Sequence, residues 1–298
     1  MRARLPVRSL VIAGALAALG VACASIAGLA DLEIADCKGG PCADASVEGG
    51  PSSDAGADAP PNDCPGTGGP SGVRQREGAI NFCVDSSEVT FGQYRAFVTA
   101  KGSDTAGQPP ECAWNTSFAP ASTGSDDDPV VNVDWCDAYA FCKWAGKRLC
   151  GKIGGGALAE GQVGEAASNQ WLFACSGNGR QAYPYGGSFD PTRCNVMTDA
   201  GSSPVKTTPG CEGTSPGLFD MVGNVWEWID ATCVKADGGT GDGGVVDGGP
   251  ATDLCSARGG SYANPGGITP RQLNCEVNIR APRQQRFRDV GFRCCSDP

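Results

Sequence analysis

Residues 220–228 read DMVGNVWEW: Asp220, Met221, Val222, Gly223, Asn224, Val225, Trp226, Glu227 and Trp228. A Gly223–Asn224 turn is followed by two tryptophans on either side of one glutamate. Soluble chains rarely place so much aromatic surface beside a carboxylate without a partner for it, so the stretch either binds something or packs as core.

Working outward, the 298-residue chain carries a formal charge of −10 and no histidine. The absence of imidazole excludes Ser–His–Asp and Cys–His catalysis and any zinc or iron site built on histidine. So acidic a chain is not expected to bind nucleic acid. Serine and lysine occur, but at no spacing diagnostic of a dyad.

The N-terminus has Arg2, Arg4 and Arg8 ahead of an apolar run from Leu10 to Ala22. That run is too short for a bilayer span and fits the core of an export signal. Gly20 and Ala22 precede Cys23, resembling a bacterial lipoprotein signal with Cys23 as the lipidated residue, although the leucine, Leu19, stands one place early. Secretion after cleavage at Ala22-Cys23-Ala24 is the alternative. Seventeen cysteines point to an oxidising compartment. Setting Cys23 aside leaves an even number able to close as eight disulfides. The protein is therefore expected in the cell envelope, held to the membrane through lipid on Cys23, or else secreted.

The expected organisation is a signal peptide over 1–22, a tether over 23–63 and a domain over 64–298. Residues 31–63 hold eight acids against one lysine and are rich in Gly, Pro, Ser and Asp. Such composition cannot bury enough apolar surface to offset ordering entropy. Cys37 and Cys42 could close a small loop there. A soft insert over 237–250 (DGGTGDGGVVDGGP) lies between Cys233 and Cys255, which would pinch it off if bridged.

Three helices are predicted. Thr90 and Gln93 form a capping box before the face Phe91, Tyr94, Phe97 and Val98, and Gly102 ends the run. Asp134 caps a second helix that buries Trp135, Ala138, Phe141, Cys142 and Ala145, stopping at Gly146. A shorter one runs from Ser168 to about Ala174. INFCV and GFRCC read as strands, and Asp126–Asp128 as a solvated turn. KIGGGALAEG lacks the GK[ST] ending and a preceding strand, so it reads as a surface loop rather than a phosphate cradle.

The ordered series EVTFGQYRAFV, PVVNVDWCDAYAFCKWAGKRL, YPYG, GLFDMVGNVWEW, ARGGSY and GFRC, spanning Cys83 to Cys295, resembles the formylglycine-generating enzyme (sulfatase-modifying factor) family. The resemblance implies an irregular, loop-rich α+β fold related to C-type lectins and stapled by disulfides. It implies calcium at the opening stretch, with carboxylate oxygens from Asp220 and Glu227 and carbonyls from Gly223 and Val225. Four hard oxygen donors within a few residues suit calcium; Trp226 and Trp228 would pack beneath. The alternative is that Glu227 caps a turn and Asp220 starts one. Asn195 and Val196 occupy the place of a second family calcium site, without clear acidic partners downstream. The same resemblance pairs Cys142 with Cys294 and Cys175 with Cys275. Each closes a loop of about a hundred residues or more, worth about 4–5 kcal/mol in the chain-entropy model. Cys295 then needs another partner.

The family's enzymes bind copper(I) through two cysteines just after RGGSY. Here those places hold Asn264 and either Ile268 or Thr269, so copper is not expected, and a relocated pair such as Cys275 with Cys295 is the remaining route to it. A related branch uses histidine-held iron, which this chain cannot build. The RLPTEAEWE-type box is replaced by a glycine-rich insert containing Cys150. Seven arginines between Arg258 and Arg293 either line a groove for an anionic ligand or brace loops. The expectation is a monomeric, non-catalytic binding module for a peptide or glycan, with Trp114, Tyr183 and Tyr185 as groove candidates and core packing as the alternative role for each. The rival is an oxygen-dependent oxidase with rearranged ligands.

Overall fold

The computed structural model describes residues 64–196, 198, 200–236, 249–263 and 269–298. Cys23, Cys37, Cys42, the tether and most of the 237–250 insert lie outside them. Among the described residues, no helix is long and apolar enough to cross a membrane.

Helix α1 (Phe91–Lys101) starts where the side chains of Thr90 and Gln93 exchange hydrogen bonds with each other's backbone, and Gly102 ends it with a positive φ. Helix α2 (Trp135–Trp144) has the same box from Asp134 and Asp137. Helix α3 spans Gln170–Ser176, two residues later at each end than expected. The Asn169 side chain caps it by accepting from Leu172 N, and Gly177 turns left-handed at its end.

The strands are β1 (Gly72–Glu77), β2 (Ile80–Asp85), β3 (Arg148–Leu149), β4 (Trp226–Trp228), β5 (Leu254–Arg258), β6 (Asn278–Pro282), β7 (Val290–Phe292) and β8 (Cys294–Ser296). They form two four-stranded sheets. One, ordered β1-β2-β8-β3, is antiparallel throughout. The other, β6-β5-β4-β7, is antiparallel except between β4 and β7. The GFRCC stretch is not one strand: it breaks at Arg293, with β7 in one sheet and β8 in the other. That break aims the Arg293 side chain into the interior, where it is fully buried.

Between the sheets and α1 and α2 lies an aromatic core. Tyr94 stacks on Phe141 at 5.7 Å, and Phe141 meets Phe292 edge-on at 5.3 Å. Trp228 Nε1 donates to Val133 O and Trp135 Nε1 to Ile229 O, so two indoles tie α2 to β4 reciprocally. The tryptophans of the opening stretch are core, with Trp226 and Trp228 both buried.

Seven disulfides staple this frame: Cys64–Cys83, Cys112–Cys136, Cys142–Cys294, Cys150–Cys295, Cys175–Cys275, Cys194–Cys211 and Cys233–Cys255. Cys295 finds its partner in Cys150, the cysteine that the altered RLC box introduces. The Cys233–Cys255 bridge closes the base of the insert.

Candidate functional site

The opening stretch begins as a turn that only certain residues can make. Asp220, Gly223 and Asn224 have φ of 59°, 84° and 55°. Asp and Asn tolerate this region better than other side-chain-bearing residues. Gly223 is required on a second count: a Cβ there would stand 2.6 Å from the Asn195 carbonyl oxygen. The turn delivers β4, whose Glu227 is paired in register with Arg258 on one side and Gly291 on the other.

Glu227 is buried, and both its carboxylate oxygens are engaged. Arg293 Nε and Nη2 each donate to it at 2.7 Å, one to each oxygen, and Trp171 Nε1 donates to Oε2 at 2.7 Å. The remaining Arg293 donors reach the carbonyls of Asp85 and Phe219. The calcium expected from Asp220, Gly223, Val225 and Glu227 would share the Glu227 carboxylate with a guanidinium bound to it in fork geometry. Among the described residues, no three Asp, Glu or Cys side chains come together as a metal site.

Beside this pair, Glu88 is fully buried; its Oε1 accepts from Asn224 Nδ2 at 3.0 Å, and its Oε2 has no partner. Burial, reinforced by the nearby Asp220 charge, pushes its pKa well above the usual carboxylate range. Asp220 accepts from Lys206 N at 2.7 Å, and burial raises its pKa to about 6. The segment is an internal electrostatic knot whose dominant tie is Arg293 to Glu227.

Asn195 and Val196 are brought onto the same turn rather than forming a separate centre. The Asn195 carbonyl accepts from Asn224 N at 2.8 Å, and its amide donates to Gly201 O and Ser203 Oγ. Val196 is buried against Gly223. The carbonyl that would serve as a ligand there is already holding the turn.

In the region of the family's copper pair, Ser261 Oγ donates to Asp289 Oδ2 at 2.8 Å and Tyr262 N to Asn224 O at 2.9 Å. Asn264 and Ile268 lie outside the described residues; Thr269 N donates to Gln272 Oε1. Cys275 and Cys295 sit in separate bridges, to Cys175 and Cys150, so the relocated pair is not available. All fourteen cysteines from Cys64 to Cys295 are paired in the seven bridges.

The groove candidates make internal contacts, with Trp114 and Tyr185 half-buried. Tyr183 is buried and stacks on Tyr185 at 5.4 Å, while Trp114 Nε1 donates to Glu111 O. The C-terminal arginines largely brace backbone: Arg258 donates to Cys275 O and Val163 O, Arg283 to Pro250 O, and Arg286 to Ala119 O and Ser117 O. Sequence reasoning missed Arg293 and Glu88. The available signal was charge in apolar context: Arg293 stands between Phe292 and Cys294, and Glu227 between two tryptophans.

The chain resembles proteins with and without a stated activity. It is 32% identical over 194 residues to inactive C-alpha-formylglycine-generating enzyme 2 of Bos taurus, covering 59% of this chain and 54% of that protein. It is 31% identical over 220 residues to formylglycine-generating enzyme of Thermomonospora curvata, covering 63% of each. The chain thus spans less than two thirds of these relatives. Among solved structures it is similar to PvdO from Pseudomonas aeruginosa, with TM-score 0.49 and 20% identity over 73% of this chain and 81% of that one. Residues 44–298 match the model of the sulfatase-modifying factor enzyme 1-like domain, and the chain belongs to that family.

Proposed function

We propose that this protein is an exported, lipid-anchored member of the family that has given up copper chemistry and works as a binding module of the cell envelope. The observation that carries the reading is the state of its cysteines. Copper(I) needs soft thiolate donors, and every cysteine from Cys64 to Cys295 is committed to a disulfide. The two places where relatives carry the metal-binding pair hold Asn264 and Ile268 or Thr269, none of which offers a thiolate. The relatives alone do not choose, since one is named inactive and another is named as the enzyme. Seven disulfides accord with export to an oxidising compartment, and the sequence around Cys23 supplies the anchor.

The test is an oxygen-electrode assay with full-length protein, copper(I) and a cysteine-containing peptide, the peptide being analysed by mass for aldehyde. The expected result is no aldehyde and no protein-dependent oxygen uptake. Stoichiometric aldehyde formation overturns the reading.

A further inference from the structure

No serine and lysine stand at a diagnostic spacing along the chain, yet the fold brings one pair together across 120 residues: Lys206 Nζ lies 2.6 Å from Ser86 Oγ. Ser86 Oγ in turn stands 3.3 Å from Ser71 Oγ. The β1–β2 hairpin places the two serines. Ser71 immediately precedes β1 and Ser86 immediately follows β2, and Ser86 N donates to Ser71 O at 2.9 Å, extending the ladder by one pair. Residues directly opposite on antiparallel strands share a face, so the hydroxyls meet. Ser71, Ser86 and Lys206 thus form a line of two hydroxyls and an amine, the last step within hydrogen-bond reach of a general base.

Exposure along the line is graded. Ser86 is buried, whereas Ser71 and Lys206 are exposed and line a cleft of about 700 Å³ between the start of β1, the first turn of α1 and residues 204–207. That volume suits a small organic molecule. Ser71 is therefore the hydroxyl a substrate reaches, and Ser86 is its link to the amine. Lys206 has a φ of 64°, a left-handed conformation costly for a long side chain and found disproportionately at functional sites. The Asp220 carboxylate holds it there by accepting from Lys206 N at 2.7 Å. Among the described residues the Lys206 amine meets a hydroxyl and no carboxylate, as a base paired with a nucleophile does.

We propose that Ser71 is the nucleophile of an acyl-transfer site for small carboxylic esters, with Ser86 relaying its proton to Lys206. Ser71 Oγ bonds to the ester carbonyl carbon while its proton passes to Ser86 Oγ and the Ser86 proton to Lys206 Nζ. The bond from that carbon to the alcohol oxygen breaks, and the leaving oxygen takes the proton from Lys206. Water, giving up a proton along the same line, then cleaves acyl-Ser71 to the free acid and restores the serine. No oxidant or reductant is consumed. The activity goes beyond the binding-module reading and uses none of the copper places, so the aldehyde assay and the test below fail independently.

Full-length protein is treated with a fluorophosphonate, the label is mapped by mass spectrometry, and p-nitrophenyl acetate hydrolysis is followed in parallel. The assays run at about pH 9.5, where a lysine amine of ordinary pKa is about one-tenth neutral. The label should fall on Ser71, and p-nitrophenol release above the buffer rate should drop at least tenfold in Ser71→Ala, Ser86→Ala and Lys206→Gly. Glycine suits the positive φ at 206, so Lys206→Gly should melt no lower than the parent. Added ethylamine should restore part of its rate, which a lysine of merely structural role would not allow. Absence of label on Ser71 overturns the proposal. So does any of the three variants hydrolysing at the parent rate, or Lys206→Gly gaining nothing from ethylamine.

Discussion

Arg293 and Glu227 meet across 66 residues of sequence in a two-pronged ion pair, 2.7 Å at each contact, with both side chains buried. The guanidinium comes from the residue at which the chain leaves one sheet for the other; the carboxylate comes from the centre of β4. Removing one partner strands the other charge, at a cost of about 3–5 kcal/mol. Glu227→Ala and Arg293→Met are each expected to lose that much in urea unfolding. The double variant should lose less than the sum, because the interaction is counted twice in the singles. A chelator should leave the melting temperature of the parent unchanged, the guanidinium being the cation that holds Glu227. A melting temperature that falls with chelator in the parent and not in Glu227→Ala would place calcium at Glu227.

Asp220 gives a pH signature. Its folded pKa, raised by burial to about 6 from 3.8, lies above the unfolded value. The folded state therefore holds this proton more tightly than the unfolded one, and the associated stability is full below about pH 4 and is lost as pH rises through about 6. Asp220→Asn keeps an acceptor for Lys206 N and suits the positive φ. It should be more stable than the parent at pH 7, and the gain should shrink toward pH 4 in denaturant titrations at each pH.

The turn itself is testable at Gly223. With φ at 84° and the Asn195 oxygen 2.6 Å from a built Cβ, Gly223→Ala must shift backbone as well as accept a strained dihedral. A loss of about 1–3 kcal/mol is expected. Gly78→Ala, whose φ is 58° with nothing within 4 Å, should cost less in the same thermal melts.

Disulfide loss should scale with loop length. Removing Cys142–Cys294, separated by 152 residues, is expected to cost about 5 kcal/mol in the chain-entropy model, and Cys64–Cys83, separated by 19, about 3. Paired Cys→Ser variants compared by denaturant unfolding check the order.

The local parts of this architecture were readable from sequence because their determinants are local. The Thr90–Gln93 box and the Asp134 cap each lie within one helical turn of what they stabilise. The α3 start lies two residues later than expected because Asn169, placed inside the expected helix, is its cap. The GFRCC segment misled because its apolar character suits a continuous strand, whereas the break at Arg293 is set by a carboxylate 66 residues away. The same non-local pairing hid the role of Glu227: hard oxygens beside tryptophans suit a metal or a guanidinium equally, and only the fold brings Arg293 there.

Mass-spectrometric mapping of cysteine states, by alkylation without reductant followed by digestion, tests the account most directly. It should find no alkylated cysteine between Cys64 and Cys295 and should recover Cys175 with Cys275 and Cys150 with Cys295 as linked peptides. Two alkylated cysteines in that span, accompanied by bound copper, would contradict it.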